Sequence, residues 1–228
     1  MNKQMTQKHV AAKGFAAIAA AGFLTLLLGV FGLGAAQPAW AQSGQIAAAT
    51  PQLQDSDLQA QATPARGQTF VKNGNTYKVT DLADEDDLGE VTLVKYGSTN
   101  LKPTVNTVKY QGQVYEVDAI GKNAFNNVKG HKVTLVTLGR NVDRIGAKAF
   151  YGCKKLKTIN MAKCDVIDID YGANGYYLDE TDIGAKAFKN AGVKAVKVKC
   201  GKSNASYQKV FKKALVSKGM RTSVTVVK

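Results

Sequence analysis

Few side chains in this 228-residue sequence are suited to catalysis. It holds two His and three Cys residues, and His131 is the one His outside the first 41 residues. A Cys–His nucleophilic pair would need an exposed thiol beside that imidazole, and the pattern around Cys153 and Cys164 gives no sign of one. The strings Gly-x-Ser-x-Gly and His-Glu-x-x-His and a phosphate-binding Gly loop are absent from the sequence. We therefore predict no enzymatic activity and no cofactor.

One acidic segment invites comparison with a calcium-binding loop. Asp168, Asp170 and Asp179 occupy positions 1, 3 and 12 of an EF-hand-like count. Position 5 is Gly172, however, and the position that requires Gly is Ala173. These departures remove a ligand and a tight turn, so we expect a solvated acidic segment and no metal site.

Charge is unevenly distributed along a chain of 31 Lys and Arg residues and 17 Asp and Glu residues, with a net charge of +14. From Ile183 to the end there are twelve basic residues and no acidic one, whereas acidic residues gather at residues 84–87 and 165–182. The basic face could hold the protein on an anionic cell-wall polymer or an acidic host glycan. The simpler interpretation is a solvated surface. Nucleic acid is not expected as a partner, because no aromatic stacking platform is evident.

The N-terminus predicts export. Three lysines precede an acid-free apolar run from residue 15 to about residue 36, and the small residues Ala39 and Ala41 follow. We therefore expect residues 1–41 to be a signal peptide that is cleaved after Ala41. The run is also long enough to span a bilayer, so an uncleaved anchor is the alternative. No second apolar run follows, so we expect no transmembrane segment after cleavage and a secreted or cell-surface location.

Residues 42–67 have the composition of a linker. They are rich in Gln, Ala, Thr and Pro and contain almost no large apolar side chains. Such a segment cannot bury enough surface to offset its ordering entropy, so we predict that it is disordered. The folded part is expected to begin near Gln68.

A short string recurs through the second half of the sequence. Ile-Gly-x-x-Ala-Phe occupies residues 120–125, 145–150 and 183–188, and the longer second interval indicates an insertion at about residues 163–181. One such unit cannot bury enough apolar surface to fold alone, whereas stacked units can. We expect the repeat core to contain Ile120, Phe125, Ile145, Phe150, Ile183 and Phe188.

A second apolar pattern follows each string. Its members are Val133, Val136 and Leu138, then Leu156, Ile159 and Met161, and finally Val193, Val196 and Val198. The last two residues of each set are two positions apart, as on one side of a short strand. Residues next to them then point outwards, and we assign four of these as candidate ligand contacts: Thr137, Asn160, Lys197 and Lys199.

The middle copy continues as Tyr-Gly-Cys-Lys-Lys-Leu-Lys-Thr-Ile over residues 151–159. It resembles the BspA-type leucine-rich repeat of bacterial surface antigens, whose pattern is Ile-Gly-x-x-Ala-Phe-x-x-Cys-x-x-Leu-x-x-Ile. The first copy departs with Val128, and the third with Ala191, at the Cys position. The resemblance covers about residues 105–200. It implies a right-handed α/β leucine-rich-repeat solenoid with short parallel strands, and a role in surface display or adhesion.

The repeats are expected at residues 118–200, and we predict that the segments on either side cap them. Residues 68–117 contain two alternating strand-turn-strand patterns, and the first includes the Asn-Gly pair typical of tight hairpins. In residues 201–228, apolar residues at helical spacing precede Gly219, and a final strand follows it. We predict a β-hairpin N-terminal cap and a helix-strand C-terminal cap, with a membrane-binding helix as the alternative for the latter. The helical spacing is formed by Tyr207, Val210, Phe211, Ala214 and Leu215.

Two features of the insertion suggest further chemistry. Tyr171, Tyr176 and Tyr177 suit contact with a protein or a sugar, although packing on the repeats themselves is an equal alternative. Cys164 and Cys200 follow strands that we expect to be neighbours, about 4.8 Å apart. In an exported protein such a pair can form a disulfide, which would close the insertion.

Together these features predict a secreted or cell-surface leucine-rich-repeat protein that binds without catalysis. Adhesion to an extracellular protein or glycan of a host or matrix is the leading hypothesis. The alternative is a structural module without a specific ligand, retained on the cell wall by its basic C-terminal face.

Overall fold

The computed structural model describes residues 63–194 and 196–228. The predicted signal peptide and residues 42–62 of the predicted linker lie outside these described residues. Within them the elements are β1 (Thr69–Lys72), β2 (Asn75–Asp81), β3 (Gly89–Lys95), β4 (Thr104–Val105), β5 (Thr107–Tyr110), β6 (Gln113–Ile120), β7 (Leu135–Leu138), β8 (Arg144–Ile145), β9 (Thr158–Asn160), β10 (Ile167–Gly172), β11 (Gly175–Thr181), β12 (Lys197–Lys199), α1 (Ala205–Ser217) and β13 (Thr225–Val227).

The first sheet is mixed, in the order β1-β2-β3-β6-β5, with β8 also paired to β6. The β1–β2 and β5–β6 hairpins lie where the alternating patterns predict them. Their two-residue turns, Asn73-Gly74 and Gln111-Gly112, have positive φ throughout, which matches the twist of an antiparallel pair. Between the hairpins lies β3, which runs parallel to β6 and which the sequence analysis did not anticipate.

The second sheet is parallel throughout, in the order β13-β12-β9-β7-β4. Parallel neighbours require the chain to return between one strand and the next. The return path passes through the recurring strings, whose Ile120, Ile145 and Ile183 pair side by side as a second parallel ladder. Each repeat therefore contributes one rung to each of two ladders.

A stack of aromatic rings fills the space between the ladders. Phe125, Phe150 and Phe188 are fully buried, and their ring centroids lie 4.8 and 5.5 Å apart in sequence order. Tyr96, which follows β3, extends the stack because its ring lies 4.6 Å from Phe125. The rings share one apolar interior.

Backbone hydrogen bonds hold the strings in the same register. The N–H of Phe125 donates to Ala149 O and that of Phe150 to Ala187 O, both at 2.8 Å. The string Gly residues are needed for close approach, since a Cβ on Gly184 would lie only 2.4 Å from the backbone nitrogen of Ala147. Neighbouring coils can therefore come this close only because the string residue is Gly and has no side chain.

The register of the third repeat differs from the predicted one. Val198, and not Val196, lies beside Ile159 in the parallel sheet, and Val136 lies on the other side of Ile159. Val193 consequently falls five residues before its strand centre instead of three, and it is 64% exposed. Its assignment to the inward apolar pattern was wrong, because the strand centre lies ten residues after the string Phe in this repeat and nine residues after it in the middle one.

The C-terminal segment packs as an amphipathic helix followed by a strand. Asn204 caps α1, since its side-chain oxygen accepts the N–H of Tyr207 at 3.0 Å. Phe211, Ala214 and Leu215 are buried on one face. Beyond the helix, the carbonyl of Lys218 accepts the N–H of Phe188, so this end adjoins the third string. Among the described residues no helix combines the length and apolarity needed to cross a membrane.

The last residue of the predicted linker is hydrogen-bonded to the fold. The N–H of Gly67 donates to Val79 O at 2.8 Å, and Val79 in turn donates to Gln68 O. Residues 67 and 68 are thereby joined to β2. This end of the predicted linker is part of the fold.

Candidate functional site

The outward side of the parallel sheet carries two columns of side chains, one residue of each strand per column. Parallel strands lie about 4.8 Å apart, so one ligand can contact several coils. Lys197 and Lys199 are exposed, while Thr137 and Asn160 are half-buried. One column contains Thr104, Thr137, Asn160, Lys199 and Val227, and the other, to which β4 contributes no residue, contains Leu135, Thr158, Lys197 and Thr225. The structure thus brings the four predicted strand contacts onto one surface.

The insertion is a hairpin of β10 and β11, not a loop. Tyr171 and Tyr177 are 74% and 50% exposed. Tyr176 instead sets its ring edge-on to Tyr207 of α1, with centroids 5.5 Å apart at 89°. Two of the three predicted tyrosines are therefore available to a partner, and the third attaches the hairpin to the helix.

The hairpin and the residues next to it are strongly acidic. Burial raises the pKa of Asp168, and the neighbouring carboxylates, Asp170 and Asp179 first among them, raise it further. These three acids lie on two antiparallel strands and not in a calcium-binding loop. Among the residues that the structure describes, no group of three or more His, Cys, Asp or Glu side chains is placed to hold a metal ion.

All three cysteines are free thiols, so the predicted Cys164–Cys200 disulfide is wrong. The reason is the register of the third repeat. Cys200 follows Val198 by two residues and is buried in the position that Met161 occupies after Ile159, whereas Cys164 lies five residues after Ile159. The Cys164 thiol donates to Met161 O and the Cys200 thiol to Lys202 O.

One buried carboxylate is not indicated by any pattern in the sequence. Asp118 on β6 is 3% exposed and pairs with the guanidinium of Arg144 on β8. It also accepts the hydroxyl of Thr92 on β3 at 3.3 Å. The three groups join neighbouring strands of the mixed sheet, and their 26-residue separations leave no local signal.

Three adjoining cavities lie on the surface of the repeats, and together we call them the lysine groove. The first, of about 400 Å³, shares Asn126 and Tyr151 with the second, of about 500 Å³. The second shares Lys154 and Lys155 with the third, of about 890 Å³. The groove runs from the Ile-Gly-x-x-Ala-Phe strings to the segments that enter β9 and β12.

The lysine groove is basic along its whole length. No Asp or Glu lines it. Within the described part of the chain, the ion pairs involve only Arg66 and Arg144 as cations, so none of the groove lysines is paired. The groove lysines are Lys148, Lys154, Lys155, Lys157, Lys186, Lys189, Lys194 and Lys197.

The middle of the groove combines the ring of Tyr151 with amide and imidazole side chains. The Asn190 amide donates to the Tyr151 hydroxyl at 3.4 Å, and His131 Nε2 lies 3.3 Å from the side-chain oxygen of Asn126. Tyr151 and Asn190 are 39 residues apart, so no local pattern in the sequence indicates this group. A signal was nevertheless present, because Lys148 and Lys186 occupy the same place in two successive strings.

Two parallel ladders, built by a recurring string around a common stack of side chains, define a leucine-rich-repeat α/β fold. A family model described as the BspA type leucine rich repeat region matches residues 106–216, about half of the chain, in six copies. Residues 106–216 are therefore a BspA-type leucine-rich repeat region, which confirms the resemblance. The match extends beyond the expected residues 118–200 at both ends.

Several solved structures are similar to this chain at low identity. A leucine rich cell surface protein from Faecalibacterium prausnitzii A2-165 is 21% identical, over 60% of this chain and 33% of that one, with a TM-score of 0.38. The pneumococcal vaccine antigen PcpA is 21% identical, over 59% of this chain and 38% of that one, with a TM-score of 0.33. A leucine-rich repeat protein from Bacteroides capillosus is 22% identical, over 42% of this chain and 85% of that one, with a TM-score of 0.30.

The matched part of this chain spans little more than a third of the first two of these structures. None of the curated proteins is similar to the sequence.

Proposed function

We propose that the protein is a secreted or cell-surface adhesin, without catalytic activity, that presents binding side chains on a rigid repeat scaffold. The observation that carries the proposal is the exposure of Tyr171 and Tyr177 on a hairpin outside the stacked repeats. Large exposed aromatic side chains are characteristic of binding surfaces, because they provide contact area with little loss of side-chain entropy. The predicted signal peptide and the BspA-type region support the location.

The scaffold that we propose is a right-handed solenoid closed at both ends. The β1–β2 hairpin covers the first coil, and α1 with β13 covers the last. Stacked repeats need such ends, because an uncovered terminal coil exposes its apolar interior. The burial of Phe70 and Phe211 supports this arrangement.

The proposed contact surface has two parts. The first is the outward side of the parallel sheet, at Thr137, Asn160, Lys197 and Lys199. The second is the tip of the hairpin, at Tyr171 and Tyr177. Both project from hydrogen-bonded strands, so their side chains are positioned before a ligand arrives. An extracellular protein or glycan is the ligand class that suits such surfaces.

A glycan and extracellular-matrix array with the mature protein tests the proposal. Each ligand found is then measured again with Tyr171→Ser/Tyr177→Ser and with Lys197→Ser/Lys199→Ser. Val71→Ser is the control, because Val71 is 61% exposed on β1, away from both parts. We expect at least one double variant to weaken binding about tenfold with an unchanged melting temperature. Equal binding by all variants would contradict the proposal.

A second candidate function is retention on the cell wall without a specific ligand. The absence of acids from residue 183 onwards favours it, as does the exposure of Lys209 and Lys213 on α1. Isolated walls loaded with the protein are washed in rising salt. Release below about 1 M salt is expected for charge-based retention, since screening is strong there. Retention that salt does not alter would exclude it.

A further inference from the structure

We propose that the lysine groove binds a linear anionic glycan. Its sulfate or carboxylate groups pair with the groove lysines, and one of its sugar rings packs on Tyr151. The proposal adds a binding site to the function proposed above. It rests on that function in requiring an exported protein, and the site shares Lys197 with the proposed sheet surface but does not include Tyr171 or Tyr177.

Two of the groove lysines carry uncompensated charge at positions where folding does not require a lysine. Lys148 and Lys186 lie on adjacent coils, since the N–H of Lys148 donates to Ala185 O at 3.2 Å. Both have φ of 57°, in the left-handed region that favours Gly or Asn, and Asn123 holds the same place in the first string. Adjacent like charges in a strained backbone conformation oppose folding, which points to selection for binding an anion.

The shape of the site favours a linear polymer as the ligand. Tyr151 lines both the first and the second cavity, and Lys154 and Lys155 line both the second and the third. The three cavities therefore adjoin one another along the surface, with lysines lining each of them. A single small anion would contact two or three of these lysines, whereas a linear polymer can reach the whole series.

The side chains around Tyr151 favour a saccharide. Asn126 and Asn190 offer amide donors and acceptors, and His131 offers a ring nitrogen, at the centre of the groove. Such groups suit the hydroxyls of a saccharide, while the ring face of Tyr151 suits its apolar C–H surface. Single-stranded nucleic acid would require several stacking rings, and Tyr151 is the one aromatic residue that lines the three cavities.

The main experiment measures the affinity of the mature protein for heparin by calorimetry at about 0.15 M salt, where exposed charges are partly screened. We expect Lys154→Ala/Lys155→Ala to weaken binding about tenfold and to reduce the salt slope by about 1 to 2. Lys209→Ala/Lys213→Ala is the matched control, because it removes the same charge from α1. Equal losses in the two variants would overturn the proposal, since binding would then follow net charge alone.

A second comparison separates a glycan site from a merely cationic one. Tyr151→Ala should weaken heparin binding about fivefold and leave the binding of polyglutamate unchanged, because polyglutamate has charge but no sugar ring. Equal effects on the two polymers would overturn the proposal. Single-stranded DNA of matched charge that binds as tightly as heparin would overturn it too.

Two further measurements keep this site distinct from the proposed adhesive surface. Heparin should protect Lys148, Lys154 and Lys186 of the unaltered protein from amine acetylation and leave Lys209 reactive; the reverse pattern would overturn the proposal. Tyr171→Ser/Tyr177→Ser should keep full heparin affinity. If that double variant loses heparin affinity, the ligand lies at the hairpin and the groove proposal fails.

Discussion

The stacked repeats are stabilised by buried rings, whereas the inserted hairpin β10–β11 exposes two of its three tyrosine rings. Phe125, Phe150 and Phe188 have no exposed surface and stack on one another through successive repeats. The hairpin exposes most of the Tyr171 ring and attaches to the helix through Tyr176. Stability is thus concentrated where every coil touches its neighbours, and the hairpin is free to vary its surface without loss of the fold.

The largest expected difference between the two regions is the effect of removing one ring from each. Phe150→Ala should lower the free energy of unfolding by about 3–5 kcal/mol, because it opens a cavity between two other rings. Tyr177→Ala, at a half-exposed ring on the hairpin, should change it by less than about 0.5 kcal/mol. Denaturant unfolding of both variants checks this. Similar losses would show that the hairpin supports the fold as strongly as the repeats.

The sequence predicts a ring of this stack only where that ring belongs to the recurring string. The three Phe residues are part of the string and are predicted from it. Tyr96 forms the fourth ring, but it stands in Val-Lys-Tyr-Gly, which shares nothing with Ile-Gly-x-x-Ala-Phe. Its place is set by the parallel pairing of β3 with β6, a contact between distant segments that no local pattern encodes.

The mixed sheet and the hairpin also differ in how deeply their carboxylates are buried. This difference gives the next largest expected effect. Asp118 in the mixed sheet is buried with Arg144 as its partner, whereas Asp168, Asp170 and Asp179 in the hairpin are exposed. Arg144→Ala leaves the buried charge without its cation and should cost about 2–4 kcal/mol. Asp81→Ala removes an exposed ion pair, 3.9 Å from Arg66, and should cost less than about 1 kcal/mol.

Thermal and denaturant unfolding of these two variants, together with Asp118→Ala/Arg144→Ala, completes the test. The double variant should recover part of the stability lost by Arg144→Ala, since no unpaired charge remains buried. A loss for Arg144→Ala no larger than that of Asp81→Ala would mean that water satisfies Asp118.

The candidate site was harder to foresee than the core, because it depends on register. Alternating apolar residues identified the strands, yet Val196 and Val198 fit the same pattern and only the sheet pairing selects Val198. That two-residue shift exposed Val193 and buried Cys200. The outward direction of Lys197 and Lys199 survived, because a shift of two preserves the face of a strand.

A smaller effect would show that the repeats, although better packed than the hairpin, contain local strain. Lys148 adopts φ of 57°, where a side chain is disfavoured. Lys148→Gly should therefore raise the free energy of unfolding by about 0.5–1 kcal/mol, the relief of strain exceeding the added chain entropy. Lys189→Gly is the control, since Lys189 does not have a positive φ, and it should bring no gain. A loss of stability in Lys148→Gly would contradict this interpretation of the strained turn.

The smallest expected effect is the pH dependence of the hairpin. The pKa of Asp168 is raised by burial and then by nearby carboxylates, so the folded state holds this proton more tightly than the unfolded chain does. The resulting stabilisation is present below the ordinary pKa of about 4 and is lost as pH rises through the folded value. Asp168→Asn should thus raise the melting temperature at neutral pH, and the gain should vanish in acid.

Asp84, in the N-terminal part of the chain, provides a control of opposite sign. The backbone N–H groups of Asp87 and Asp86 donate to its carboxylate and lower its pKa. Its stabilisation is present above the ordinary pKa and is lost as pH falls through the folded value. Asp84→Asn should therefore lower the melting temperature at neutral pH, and the difference should close in acid. Shifts of the same sign in both variants would show that overall charge, and not the surroundings of each carboxylate, determines how the hairpin responds to pH.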